Sequence, residues 1–244
     1  MRRTLLFLLL CLQSTLAQEI PSDGASFDQE FDISLFYKIQ QHHQFLLKTA
    51  YIPQSKQSDR KEIHLSYRYS IHRNWKIGLS LKRVYGLRHN EDWNKETGIW
   101  EWRDTSARGE SFAGIFLQHK QIAWGKGRGR GILKNRLEVL RNTFNDQDTM
   151  VYKLGIINFE FKKWITIHQF EFFIPLNYND DPISEIWHYS SFMYQYSTFL
   201  KFGPKLSLGK MFWNESIDYN SRKGNEFSHN LLIYRLGFGA LFTF

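Results

Sequence analysis

Asn230-Leu231-Leu232-Ile233-Tyr234-Arg235-Leu236-Gly237-Phe238-Gly239-Ala240-Leu241-Phe242-Thr243-Phe244 is the last stretch of this sequence, and it alternates with period two. Leu232, Tyr234, Leu236, Phe238, Ala240, Phe242 and Phe244 fall on one face, whereas Arg235, Gly237, Gly239 and Thr243 fall on the other. Neighbouring side chains of a β-strand point to opposite sides, so one face of this strand is apolar throughout and the other is small or polar. Apolar toward lipid and polar toward a lumen is the pattern of a membrane-spanning barrel strand. The stretch therefore predicts the closing strand of an outer-membrane β-barrel.

The same alternation recurs upstream. Ile63, Leu65, Tyr67, Tyr69 and Ile71 oppose Glu62, His64, Ser66, Arg68 and Ser70; after a tight turn, Trp75, Ile77, Leu79 and Leu81 oppose Lys76, Gly78, Ser80 and Lys82. Charges at every second or third position cannot face hydrocarbon, so they predict an inward face. Further hairpins are expected from 31–39 with 45–51, 111–123 with 132–141, 150–161 with 164–174, and 187–200 with 205–213. Within 150–161 the alternation changes phase near Ile156-Ile157, which predicts a β-bulge. The glycine-rich run Gly125-Lys126-Gly127-Arg128-Gly129-Arg130-Gly131 reads as a turn, because neither a following Lys-Ser or Lys-Thr nor a crossover helix completes a phosphate loop.

Connections alternate between short ones (40–44, 72–74, 162–163, 201–204) and long polar ones (53–61, 86–109, 142–149, 175–186, 214–226). Outer-membrane barrels put short turns in the periplasm and long loops outside, which leaves Phe244 at the periplasmic edge. Eleven candidate strands are readable, but single-chain bacterial barrels use an even number. The fold expected is an all-β, transmembrane, antiparallel up-and-down barrel of about 12 strands, with 10 as the alternative, over residues 31–244. The extra strand is sought before Phe31 or within 98–102.

At the N-terminus, Arg2 and Arg3 precede an apolar run at 5–12 that is too short to span a bilayer, followed by Thr15-Leu16-Ala17. Residues 1–17 read as a cleaved signal peptide, and 18–30 as a periplasmic or lead-in segment. Cys11 is the only cysteine, so the mature chain has no disulfide, thiolate metal site or cysteine nucleophile. Aromatic residues make up 17% of the chain, as an aromatic-girdled barrel requires, and no later apolar run is long enough for a spanning helix. The formal charge is +8. Loss of Arg2 and Arg3 leaves 30 Lys and Arg against 24 Asp and Glu, net +6, spread along strands rather than gathered on one helix or tail. That distribution argues against a nucleic-acid partner.

Two resemblances add to this reading. Gly239-Ala240-Leu241-Phe242-Thr243-Phe244 resembles the C-terminal signal of bacterial outer-membrane barrels, which implies that Gly239, Phe242 and Phe244 engage the barrel-assembly machinery; Gly237 stands where that signal usually has a polar residue. Turns leading into Asn74-Trp75 and Lys163-Trp164, and the strand Asn135-Arg136-Leu137-Glu138-Val139, resemble a domain-of-unknown-function family of small bacterial outer-membrane β-barrel proteins. The resemblance implies a Gram-negative outer-membrane location, with outer-membrane lipid around the barrel, and brings no activity or site.

Alternation places Arg68, Lys76, Lys82, Lys134, Arg136, Glu138, Lys153, Glu171 and Arg235 in the lumen, with Lys48, Asp32, Glu62 and Glu160. A basic surplus there draws small anionic solutes, while the same residues can equally fill the lumen with ion pairs. The function expected is a non-enzymatic, porin-like barrel: a small pore with a basic lumen, or a structural or binding barrel. The alternative is a barrel enzyme acting on lipid or surface polymer. For that, Ser190 or Ser191 with His188, or Asp180 and Asp181 with a histidine, supply the residue types, but none lies in a recognisable motif. No catalytic residue, metal ligand or cofactor is assigned. Asn179-Asp180-Asp181 and Asn90-Glu91-Asp92 lack the spacing of a calcium loop and read as solvated acids, and His42-His43 reads as a water-facing turn. Trp93, Trp100 and Trp102 in the longest loop are expected to be buried by a cap or strand extension.

Overall fold

The computed structural model describes residues 24–40, 42–53, 60–86, 91–94, 99–102, 109–125, 131–143, 146–158, 163–177, 182–214 and 228–244. The predicted signal peptide, Glu160, and Asp180 with Asp181 lie outside them. Every element among these residues is a strand: β1 (Gly24–Ile39), β2 (His43–Ile52), β3 (Arg60–Ser70), β4 (Trp75–Tyr85), β5 (Glu91–Asn94), β6 (Ile99–Trp102), β7 (Gly109–Trp124), β8 (Gly131–Asn142), β9 (Asp148–Asn158), β10 (Trp164–Pro175), β11 (Glu185–Gln195), β12 (Leu200–Asn214) and β13 (Ser228–Thr243). All but β5 and β6 form one closed barrel in chain order, and β13 returns to β1.

The barrel has eleven strands rather than 12 or 10, and it is not antiparallel throughout. In a meander each strand runs opposite to the one before. An odd number therefore brings the first and last strands together in the same direction, and β1 pairs β13 in parallel from Gly24 opposite Leu231 to Phe36 opposite Thr243. Assuming evenness added a strand that does not exist. The segment at 98–102 does hold a strand, but β6 pairs only with β5 as a separate hairpin, with Trp93 opposite Trp100.

The seam also explains why β1 is longer than its hydrophobic pattern. The strand starts at Gly24, ahead of Phe31, because β13 supplies a backbone ladder along its whole length. Following paired inward positions from Lys38 across all eleven strands leads back to Gly24, fourteen residues up the same strand. This even stagger keeps inward residues inward across the seam and tilts the strands by roughly 40–45°.

Two local expectations are corrected. β9 keeps one register with both neighbours through Ile156 and Ile157, so there is no bulge; Ile157 is an apolar residue on the inward face, where the alternation had led us to expect a polar one. The register shift lies instead in β7, between Ile122 and Trp124. The expected turn at 201–204 is part of β12, and the chain reverses at 196–199. Pro204 pairs with Phe238 of β13, while its missing N–H interrupts the ladder toward β11, where pairing skips from Ser191–Lys205 to Tyr194–Phe202.

Apolar side chains cover the outside. Leu79, Leu81, Ile115, Leu137, Leu206 and Phe238 are among many large exposed hydrophobics, whereas Glu30, Arg136, Glu138 and Arg235 are buried inside. This inverts the usual arrangement of a water-soluble domain. Near the loop end the lumen also holds a small apolar cluster of Trp187 and Ile233 with Phe173, Tyr189 and Met211.

Candidate solute site in the barrel lumen

The charged residues of the lumen are sorted along the barrel. Six inward cations lie toward the short turns: Lys38 on β1, Arg68 on β3, Lys76 on β4, Lys120 on β7, Lys134 on β8 and Lys201 on β12. On the same strands the carboxylates sit nearer the long loops: Asp28, Glu30 and Asp32 on β1, Glu62 on β3, Glu110 on β7 and Glu138 on β8. Among the described residues, no inward carboxylate lies on the turn side of these cations.

Nearer the loops the charges are paired. Lys205 bonds Glu30 at 2.8 Å and also Asp32, Lys48 lies 3.5 Å from Glu30, and Arg235 reaches Asp28 and Glu30 at 3.2 Å each. On the opposite wall Arg136 bonds Glu138 at 2.6 Å, Ser80 donates to the same carboxylate at 2.5 Å, and Lys153 lies between Glu138 (3.6 Å) and Glu171 (3.3 Å). Gln169 donates to Glu171. Lys82 and Arg60 share Glu62 at 3.0 and 2.5 Å. Such pairs add little net stability, but losing one partner strands the other in a poorly solvated place.

Between these walls is a cavity of about 360 Å³, lined by ten of the thirteen lumen residues named from sequence: Lys48, Glu62, Arg68, Lys82, Lys134, Arg136, Glu138, Lys153, Glu171 and Arg235. Of the others, Lys76 lies on the turn side and donates to Gln44 at 2.6 Å, Asp32 pairs with Lys205, and Glu160 lies outside the described residues. Glu30 and Lys205 also line the cavity but escaped the sequence reading, Glu30 because the strand seemed to begin at Phe31 and Lys205 because it stood at the edge of the turn expected at 201–204. The alternation of Asp28, Glu30 and Asp32 with Phe27, Gln29 and Phe31 was the available signal for the longer β1.

The candidate catalytic residues divide between the two faces. Ser191 lines the lumen cavity. Ser190 and His188 are on the outer wall, where Ser190 Oγ lies 3.0 Å from His168 Nδ1 and 3.3 Å from His188 Nε2. His188 also stacks on Phe170 at 4.5 Å. His168 was not anticipated, and it arrives because β10 and β11 pair it directly with Ser190. Ser190 is the middle residue of β11, in a wall whose backbone N–H groups are committed to the ladder, so this trio has no evident donor for an oxyanion. His42 and His43 bond Ser70 O and the Tyr67 hydroxyl at 3.0 and 2.8 Å.

At the seam, Gly239 faces inward, where an added Cβ would come 3.0 Å from Lys205 Cδ. Phe242 pairs with Leu35 and Leu200. Phe244 accepts a backbone hydrogen bond from Lys38 at 3.1 Å and donates one to Phe36 at 2.9 Å. Compared with known proteins, the chain matches no family model and no curated protein.

Proposed function

We propose that this chain is a non-enzymatic outer-membrane β-barrel, carried to the membrane by a cleaved leader, whose basic lumen admits or binds small anionic solutes from the periplasmic, short-turn end. The observation that carries the reading is the inverted distribution: an apolar exterior encloses a lumen in which, among the described residues, the turn-side side-chain charges are all cations. Lipid is the medium that an apolar outer belt of this kind suits, which supports a membrane location. Unpaired cations behind low-dielectric walls raise the local concentration of anions. The C-terminal resemblance supports assembly by the outer-membrane machinery, with Phe244 at the periplasmic edge.

The enzyme alternative draws on the hydrogen-bonded His168–Ser190–His188 trio. Its position halfway along β11 would set Ser190 near the bilayer centre, far from lipid ester groups, so the lumen reading is preferred. The test is membrane fractionation of the expressed chain, followed by swelling of liposomes that contain the purified barrel. Outer-membrane recovery and faster entry of small anionic than of matched cationic solutes are expected; a soluble chain, or equal entry of both, contradicts the proposal.

A further inference from the structure

Among the described residues, five buried polar side-chain atoms have no hydrogen-bond partner, and three of them share one region of the lumen wall: Arg68 Nε, Gln118 Oε1 and Arg136 Nε. Gln118 pairs across the ladder with Arg136 on one side and Lys76 on the other. Gln118 is 4% exposed and Arg136 5%, so bulk water does not serve them. Arg136 spends Nη2 on Glu138 and lays its guanidinium over Phe116 at 3.6 Å, which leaves Nε uncommitted. Lys134 pairs across the ladder with Lys120 and lines the same cavity as Arg68, Arg136 and Lys153, all positive. Arg68, Lys76 and Lys134 have no carboxylate partner among the described residues.

A gathering of like charges with unmet donors is costly unless an anion completes it. We infer that Arg68, Lys134, Arg136 and Gln118 form a binding site for a phosphoryl group, inorganic phosphate or the phosphate of a small monoester, with Lys76 at its turn-side edge. The donors come from β3, β4, β7 and β8 and so approach from several directions. A tetrahedral anion presents oxygens to all of them, whereas a planar carboxylate presents two in one plane. A phosphate monoester carries roughly −1.5 to −2 at neutral pH, enough to offset most of the local surplus. Gln118 then presents its amide nitrogen to the anion after a flip of its side-chain amide. The site deepens the anionic-solute reading of the lumen and rests on it.

The folded barrel in detergent tests the site without requiring a membrane or conductance. Inorganic phosphate, glycerol phosphate and acetate are titrated at matched ionic strength, with phosphorus NMR line width and melting temperature as readouts. Both phosphates are expected to bind, and acetate about tenfold or more weakly. Binding of inorganic phosphate alone would name the free ion as the ligand, and binding of glycerol phosphate a small ester. Arg68→Gln and Lys134→Gln should each weaken phosphate binding by about tenfold or more while raising the ligand-free melting temperature, since each removes one of several like charges. Arg68→Lys, which keeps the charge but loses the planar fork, should give an intermediate loss. Lys210→Gln, on the exterior, should change neither readout. Phosphate binding matched by chloride at equal ionic strength, or unaltered in both glutamine variants, overturns the site. Phosphate binding without anion-selective conductance would keep the site and remove the uptake reading; selective conductance without phosphate binding would do the reverse.

Discussion

Leu79 and Lys82 lie three residues apart on β4 and face opposite media. Leu79 is 56% exposed on the outer wall, and Lys82 turns inward to bond Glu62 at 3.0 Å. In the proposed membrane setting, arginine at position 79 would hold a charge against hydrocarbon near the middle of the strand, at a cost of about 2–4 kcal/mol. Lys82→Gln removes one partly solvated cation from a carboxylate that Arg60 also serves, and should cost no more than about 1 kcal/mol. Urea titration of the two variants in lipid vesicles checks the contrast; equal tolerance would mean that the faces of β4 are reversed. This assignment was legible in the sequence because period two leaves no freedom once one residue of a strand is placed. It failed where composition did not reveal the medium. Ile157 is apolar and still faces the lumen, and Ser190, His188 and His168 are polar and face outward, joined to one another by hydrogen bonds.

Among the elements, the seam between β1 and β13 decides the architecture. All eleven barrel strands were readable from alternation, but their closure was not, because hydrophobic pattern records which face is buried and says nothing of which neighbour a strand meets. The parallel register sets Ser34 opposite Leu241, within reach of a disulfide for adjacent strands. In a chain that also carries Cys11→Ser, Ser34→Cys with Leu241→Cys should cross-link on oxidation and turn the barrel into a covalent ring, seen as a shift in denatured gel mobility. A folded protein that does not cross-link would reject the eleven-strand closure. Phe244 holds the same seam through its bonds to Phe36 and Lys38. Deleting it should lower barrel assembly in the outer membrane and leave export across the inner membrane intact, measured by fractionation and heat-dependent gel migration. Pro204 shows the other limit of local reading. Proline marks a turn in most contexts, but a closed barrel accommodates it where one strand of a three-strand neighbourhood can forgo a hydrogen bond.

At the scale of the whole molecule, the barrel combines an apolar outer band with a lumen divided into a paired loop side and a cationic turn side. The ion pairs of Glu30, Lys205, Arg235, Arg136, Glu138 and Lys153 line the lumen nearer the loops, while Lys38, Arg68, Lys76, Lys120, Lys134 and Lys201 lie toward the turns. The sequence disclosed the basic surplus, since inward residues can be counted from alternation. The sorting along the barrel emerged only from register, because it depends on how the stagger of fourteen residues brings positions on different strands to one height. In a narrow lumen such unpaired charges act with little screening by salt. The most direct test of the account is the reversal potential of the purified barrel in a planar bilayer under a salt gradient. Anion preference is predicted, weakened or abolished when Arg68→Gln and Lys134→Gln are combined; cation preference in the unmodified barrel, or no conductance at any voltage, would contradict it.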